Sequence, residues 1–157
     1  MQHFFDAAFE SRVTDRLRHA IELSWDFAAR TNSERFDTRH LLFGLFAKAS
    51  GVAYHILNKF GVTERTLESL CNSSVGLEKP KIQRILDVDT EVRTAIDETV
   101  NSARSFNHNY YGTEHLLIGL TVDGLTSFVI MKNLGLDPYS VRTKVLALLG
   151  HFPEIKQ

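Results

Sequence analysis

Thr113-Glu114-His115-Leu116-Leu117-Ile118-Gly119-Leu120 has an echo earlier in the chain, Thr38-Arg39-His40-Leu41-Leu42-Phe43-Gly44-Leu45. Six of the eight positions are identical, and His40 and His115 lie 75 residues apart. The echo spreads in both directions. Ala20-Ile21 answers Ala95-Ile96, Ala28 answers Ala103, and Phe36 answers Tyr111. Downstream, Leu57-Asn58-Lys59-Phe60-Gly61-Val62 answers Met131-Lys132-Asn133-Leu134-Gly135-Leu136, with one residue lost from the second copy. Self-similarity at a fixed period decides the fold before any single element does. The chain reads as two versions of one unit of roughly 75 residues, each marginal alone, so the two are expected to share a core.

The apolar spacing within each unit is helical. Leu17, Ala20, Ile21, Ser24, Phe27 and Ala28 recur on one face between Thr14 and about Thr31, the pattern of an amphipathic helix with one buried stripe. Thr38 and Thr113 are placed as caps of two short helices. Gly61 and Gly135 fall where a helix end needs positive φ. Asp137-Pro138 opens the last helix, with proline at the first helical position. No segment alternates with period two. The reading is all-α, eight helices in two pseudo-symmetric four-helix repeats. Residues 1–13 form an N-terminal arm, either docked through Phe4, Phe5 and Phe9 or free to hold a partner. Repeat one spans 14–71, a linker 72–87 and repeat two 88–150, followed by a tail at 151–157.

Composition narrows the function classes. A net charge of −1 over 157 residues gives no argument for nucleic acid or an anionic membrane. No apolar run approaches the roughly 18 residues of a membrane span, and the start lacks the charged and apolar regions of a signal peptide. Cys71 is the single cysteine, so no internal disulfide forms. Together these predict a cytoplasmic protein. The chain contains no phosphate-cradling glycine loop and no HExxH. No metal, cofactor or catalytic residue is assigned. His40 and His115 occupy equivalent helix starts, which explains them as structural histidines tucked against the neighbouring repeat. Cys71 follows an apolar helix face and reads as a buried thiol. Trp25, Tyr110 and Tyr111 read as packing residues.

The two helix starts differ in charge. Glu114 suits the positive end of a helix and Arg39 opposes it, at a cost of about 0.3–1 kcal/mol for an exposed side chain. Glu114 either complements the dipole or receives a cationic group. Arg39 is either a solvated side chain or, beside free N–H groups, an anion holder.

The stretch Gly112-Thr113-Glu114-His115-Leu116-Leu117-Ile118-Gly119-Leu120, with Leu134-Gly135-Leu136 and the helix from Val141 to Gly150, resembles the N-terminal domain of the Clp AAA+ unfoldases, the ClpC branch above all. The resemblance covers about 14–150. It implies recruitment of substrates or adaptor proteins to an unfoldase, without catalysis. In the ClpC branch it also implies phosphoarginine binding, with a glutamate of the Gly-Thr-Glu-His motif on the guanidinium and a threonine at the start of the first helix on the phosphate. By position within each repeat, Glu114 goes with Asp89, and Thr14 goes with Arg39. Asp89 would repel a phosphate and Arg39 a guanidinium, so charge argues against phosphoarginine binding of the family type. The family's AAA+ modules do not appear in these residues: the chain is either a free-standing module, the expectation favoured here, or a piece of a longer one.

The leading expectation is therefore a non-catalytic protein-binding module, an accessory or adaptor whose partners are a Clp unfoldase, an adaptor or substrate segments. The alternative is a reuse of the fold as a small-ligand or anion sensor unrelated to proteolysis, suggested by the swapped charges at Arg39 and Asp89. An undetected hydrolase is the third.

Overall fold

The computed structural model describes residues 5–47, 49–72 and 87–150. The linker reading and the tail at 151–157 fall largely or wholly outside these residues. Helices occupy α1 (Ala7–Glu10), α2 (Asp15–Arg30), α3 (Thr38–Ala47), α4 (Val52–Lys59), α5 (Glu64–Asn72), α6 (Thr90–Ser105), α7 (Thr113–Leu120), α8 (Thr126–Asn133) and α9 (Pro138–Gly150). The eight expected helices are α2 to α9. The single turn α1 precedes them, capped by the Asp6 carboxylate on the Phe9 N–H at 2.7 Å. Phe9 is buried and stacks on Tyr111 with ring centroids 5.0 Å apart.

The repeat is visible in the details of packing. In repeat one, α2 lies tightly across α3; in repeat two, α6 lies across α7. Both crossings need a glycine. A Cβ on Gly44 would run into the Ala20 carbonyl and the Ser24 hydroxyl, and one on Gly119 into the Ala95 carbonyl and the Thr99 hydroxyl. At each crossing the hydroxyl turns back onto its own helix, Ser24 to the Ala20 carbonyl at 2.8 Å and Thr99 to the Ala95 carbonyl at 2.7 Å. The short helices α3 and α7 are apolar nearly all round because they are enclosed nearly all round: every residue from Thr113 to Leu120 is buried. They meet each other, and α3 also meets α8 as α7 meets α4, so the two repeats share one core.

Two very short extended pairings cross between the repeats, a feature the helical reading did not include. Arg35–Phe36 (β1) pairs in parallel with Asp87–Val88 (β2), Phe36 opposite Val88. The equivalent residues 75 positions away, Tyr111 and Val13, form an isolated parallel bridge. The N–H of Asp89 donates to the Phe36 carbonyl at 2.8 Å, and the N–H of Thr14 to the Tyr111 carbonyl at 3.0 Å. Each long helix is thus stitched at its start to the approach of the other repeat's short helix.

Several local expectations change. Thr38 and Thr113 are the first residues of α3 and α7, not their caps. Gly112 precedes α7 without a side-chain cap, and the Asp37 carboxylate takes the N–H of Arg39 at 2.9 Å before α3. The two threonine hydroxyls reach across instead: Ser127 N–H donates to Thr38 Oγ1 at 2.9 Å, and Ala53 N–H to Thr113 Oγ1 at 3.4 Å. The histidines are bonded inside their own repeats. His40 Nδ1 accepts from Asp37 N–H at 2.9 Å and His115 Nδ1 from Gly112 N–H at 2.9 Å.

Candidate functional site

The cross-repeat stitches rearrange the four candidate residues. Thr14, the N-cap of α2, accepts from Leu17 N–H at 3.2 Å, and its own N–H is held by Tyr111, three residues before Glu114. Asp89, the N-cap of α6, is held by Phe36, three residues before Arg39. These backbone bonds run across the repeats: they set Thr14 against the approach to Glu114, and Asp89 against the approach to Arg39.

The Glu114 cleft is built on the start of α7. Glu114 is the second residue of that helix, one place later than expected, and is only 8% exposed. Its carboxylate folds back over Gly112, where an added Cβ would lie 2.5 Å from one of its oxygens. Burial raises its pKa, opposed by its own backbone N–H and then by the Arg16 guanidinium nearby. The closest cationic candidate within ion-pair reach among the described residues is His115 Nδ1 at 3.8 Å. That ring is uncharged at neutral pH. Burial, then His108, pull its pKa down to about 4. His115 Nε2 and His108 Nδ1 are 2.8 Å apart, and Tyr110 stacks on His108. Tyr110 is partly exposed, and its pKa is raised by burial and by the Glu114 charge. The start of α7 therefore presents a buried carboxylate beside the Tyr110 ring, with Arg16 near enough to favour its charged form. A shallow basic depression of about 240 Å³ is lined by Arg12, Arg104, His108 and Tyr111.

The Arg39 cleft has the same frame and different contents. Arg39 was read as exposed; its side chain is 11% exposed, with Nε 3.1 Å from Asp37 Oδ2. Its Nε is buried against the Asp37 carboxylate. Asp37 stands where repeat two has Gly112. Its carboxylate takes the Arg39 N–H at 2.9 Å and lies 3.1 Å from the Arg39 Nε. Burial raises the Asp37 pKa to about 6 despite Arg39, with Glu91 and Asp89 pushing the same way as burial. Glu91, equivalent to Arg16, accepts at Oε1 from the Thr38 N–H and hydroxyl at 3.0 and 2.7 Å. Its Oε2 accepts from the Thr126 N–H and hydroxyl at 2.9 and 3.1 Å. It joins the starts of α3 and α8. Among the described residues no side-chain oxygen accepts from the equivalent Thr113 N–H. Asp89 also faces Arg35 at 3.7 Å.

Asp37, Glu91 and Arg16 were not singled out from the sequence. The 75-residue offset held the signal: it sets Asp37 against Gly112 and Glu91 against Arg16, two further charge changes beside that of Arg39 and Glu114. Cys71, beneath this cleft, has its thiol 3.7 Å from the Arg39 carbonyl, and burial pushes its pKa to about 12, in keeping with an inert thiol.

The repeated Gly-Thr-Glu-His and Asp-Thr-Arg-His starts on a duplicated helical frame define a class. The chain belongs to the Clp repeat (R) N-terminal domain family, which matches residues 12–84 and 87–157. It is 28% identical over 150 residues to the chloroplastic chaperone protein ClpC2 of Arabidopsis thaliana, covering 95% of this chain and 16% of that protein. It is 29% identical over 140 residues to ClpC/MecB of Bacillus subtilis, a negative regulator of genetic competence, covering 88% of this chain and 17% of that protein. The chain thus spans about a sixth of these relatives. Among solved structures it is similar to the N-terminal domain of ClpD from Arabidopsis thaliana, with TM-score 0.72, 21% identity, and coverage of 90% and 96% of the two chains. It is also similar to the Hsp104 N-terminal domain from Candida albicans, with TM-score 0.74, 15% identity, and coverage of 88% and 92%. At these identities the structural likeness speaks for the fold.

Proposed function

We propose that this chain is a non-catalytic protein-binding module, an accessory or adaptor in Clp-dependent protein quality control, and that its Glu114 cleft receives a phosphoarginine side chain of a client protein. One observation supports the reading: the buried Glu114 carboxylate starts a helix whose approach, at Tyr111, is bonded across the repeats to the N–H of Thr14, which would bring together the acid and the threonine the family pattern asks for. A guanidinium on a desolvated carboxylate makes a charge-assisted hydrogen bond, the strong kind. The Thr14 hydroxyl keeps its proton to donate, and Arg16 supplies the positive charge a phosphate needs. Twofold geometry then gives one such cleft per chain, because its twin contains Arg39. The anion-sensor alternative loses its main support, since the Arg39 charge is already spent on Asp37.

Calorimetric titration with phosphoarginine, and with a peptide carrying it, tests the reading. One equivalent binds the intact chain. Glu114→Ala loses about tenfold or more in affinity, while thermal stability stays within a few degrees, because the substitution removes a charge that burial disfavours. Absence of binding to the intact chain, or an affinity untouched by Glu114→Ala, retires it.

A further inference from the structure

We propose that the basic depression between the approach to α2 and the end of α6 is a second docking site, and that its occupant is a short acidic segment of a partner protein. The segment brings carboxylates to the two arginines and an apolar side chain to the floor. This goes beyond the Glu114 reading and does not depend on it.

The depression exists because the repeats differ in shape. In repeat one Trp25 lies flat on Phe36, with ring centroids 3.9 Å apart. At the 75-residue offset Phe36 becomes Tyr111 and Trp25 becomes Val100. An isopropyl group cannot cover a ring as an indole does, and Val100 and Tyr111 line a space of about 240 Å³. That is below the roughly 300–1,000 Å³ of a small-molecule pocket. Its walls are exposed side chains, so it suits side chains offered by a protein surface.

The repeats also differ in charge. Arg12 and Arg104 form the walls with the carboxamides of Asn107 and Asn109. The equivalents in repeat one are Asp87, Ala29, Asn32 and Glu34. Where one surface has two acids, the other has two arginines.

Neither arginine is engaged within the chain. Among the described residues the arginine ion pairs are those of Arg30, Arg35, Arg39 and Arg142. Arg30, in the last turn of α2, pairs with Glu68 and lies over the Phe27 ring. Arg104, in the last turn of α6, has no such partner. Complementing the helix dipole explains an arginine in that turn. It does not explain Arg12, which comes from the chain before α2 and meets the same depression. Two like charges brought together repel, and an anion between them relieves it. Each guanidinium offers paired N–H groups that match a carboxylate side-on. The carbonyl end of α6 stands in the same wall, and its partial negative charge opposes a compact dianion such as phosphate more than two spread carboxylates.

Fluorescence anisotropy tests this with a labelled peptide of glutamate and leucine, beside a peptide with glutamine for each glutamate. At about 0.05 M salt the acidic peptide is expected to bind the intact chain, and to weaken about tenfold by about 0.5 M as exposed charges are screened. Arg12→Gln with Arg104→Gln is expected to cost about tenfold or more in affinity. Arg65→Gln with Arg93→Gln removes the same charge from exposed positions elsewhere and is expected to cost less than about twofold. Circular dichroism checks the fold; should the double variant unfold, Arg12→Gln and Arg104→Gln singly are expected to cost about threefold each. No binding of the acidic peptide, equal binding of the glutamine peptide, unchanged affinity without the two arginines, or an equal loss in the control pair overturns the proposal. So does displacement by inorganic phosphate beyond that by chloride at equal ionic strength, which would assign the depression to phosphate. A chain that binds the acidic peptide but not phosphoarginine fails the earlier reading alone, and the reverse result fails this one alone.

Discussion

Glu91 and Thr38 stand 53 residues apart in sequence, yet one carboxylate oxygen of Glu91 takes both the N–H and the hydroxyl of Thr38, at 3.0 and 2.7 Å. The other oxygen does the same for Thr126. A single acid therefore terminates two helices belonging to different repeats. Glu91→Ala leaves both helix starts without their acceptor, and each unmet N–H costs about 1–3 kcal/mol where it is buried. Urea unfolding should place the midpoint of Glu91→Ala clearly below that of the parent. Arg16→Ala, at the equivalent position, should shift it by no more than about 0.5 kcal/mol as an exposed side chain. Equal effects at the two sites would contradict the asymmetry.

Gly112→Asp converts the second cleft toward the first. Gly112 has φ −103°, open to any residue, so the backbone does not object. The new Cβ lies where the Glu114 carboxylate rests, and the added charge faces it. Phosphoarginine affinity should fall about tenfold or more, with the fold intact by circular dichroism. An unchanged affinity would mean that the carboxylate position over Gly112 does not matter for the ligand.

Gly119→Ala probes the crossing of α6 and α7. Its Cβ meets the Ala95 carbonyl, a backbone atom that cannot swing away. Overpacking of this kind costs about 1–3 kcal/mol, and Gly44→Ala at the equivalent crossing should cost a similar amount. Leu117, fully buried in the same helix, should cost about 2–5 kcal/mol as Leu117→Ala. Chemical denaturation reads all three, and a neutral Gly119→Ala would show the crossing to be looser than drawn.

Stability should fall with acid. Burial lowers the His40 pKa to about 3 and that of His115 to about 4, both from 6.5. A histidine depressed in the folded state stabilises fully above its unfolded pKa, and that contribution is lost as pH falls through the folded one. Asp37, raised from 3.8 to about 6, acts in the opposite sense: its contribution is present below about 3.8 and lost as pH rises through about 6. Glu114, also raised by burial, acts in the same sense as Asp37; the two histidines are displaced over the wider span, so the melting temperature should decline from about pH 6.5 to about pH 4. His115→Gln should flatten part of that decline. A melting temperature that rises over this range would be incompatible with the buried neutral rings.

The duplicated unit, its helices and the special glycines were legible because each is a local signal. Gly61 and Gly135 do sit at φ 86° and 82°, and Pro138 does open α9. Identical spacing in two copies made each reading a check on the other. The arrangement of the clefts was not legible, because spacing along a chain says nothing about which copy a residue faces. Thr14 and Arg39 lie 25 residues apart with helical phase between them, while the Val13 and Tyr111 bridge that sets Thr14 against the approach to Glu114 spans nearly a hundred and has no local signature. Burial of Arg39 was missed for a related reason: the acid that neutralises it is two residues away and looks, in sequence, like an ordinary turn aspartate.

The extended stitches carry a consequence for how such a molecule divides. A lone repeat would own the threonine-bearing rim of one cleft and the acid-bearing floor of the other, and so a whole version of neither. Two identical copies side by side would complete both clefts at once, alike and inseparable. Covalent fusion removes that tie: a substitution in one half now alters one cleft and spares its twin. The Gly112 and Asp37 pair is the mark of that freedom, one doorway left open and the other furnished from within.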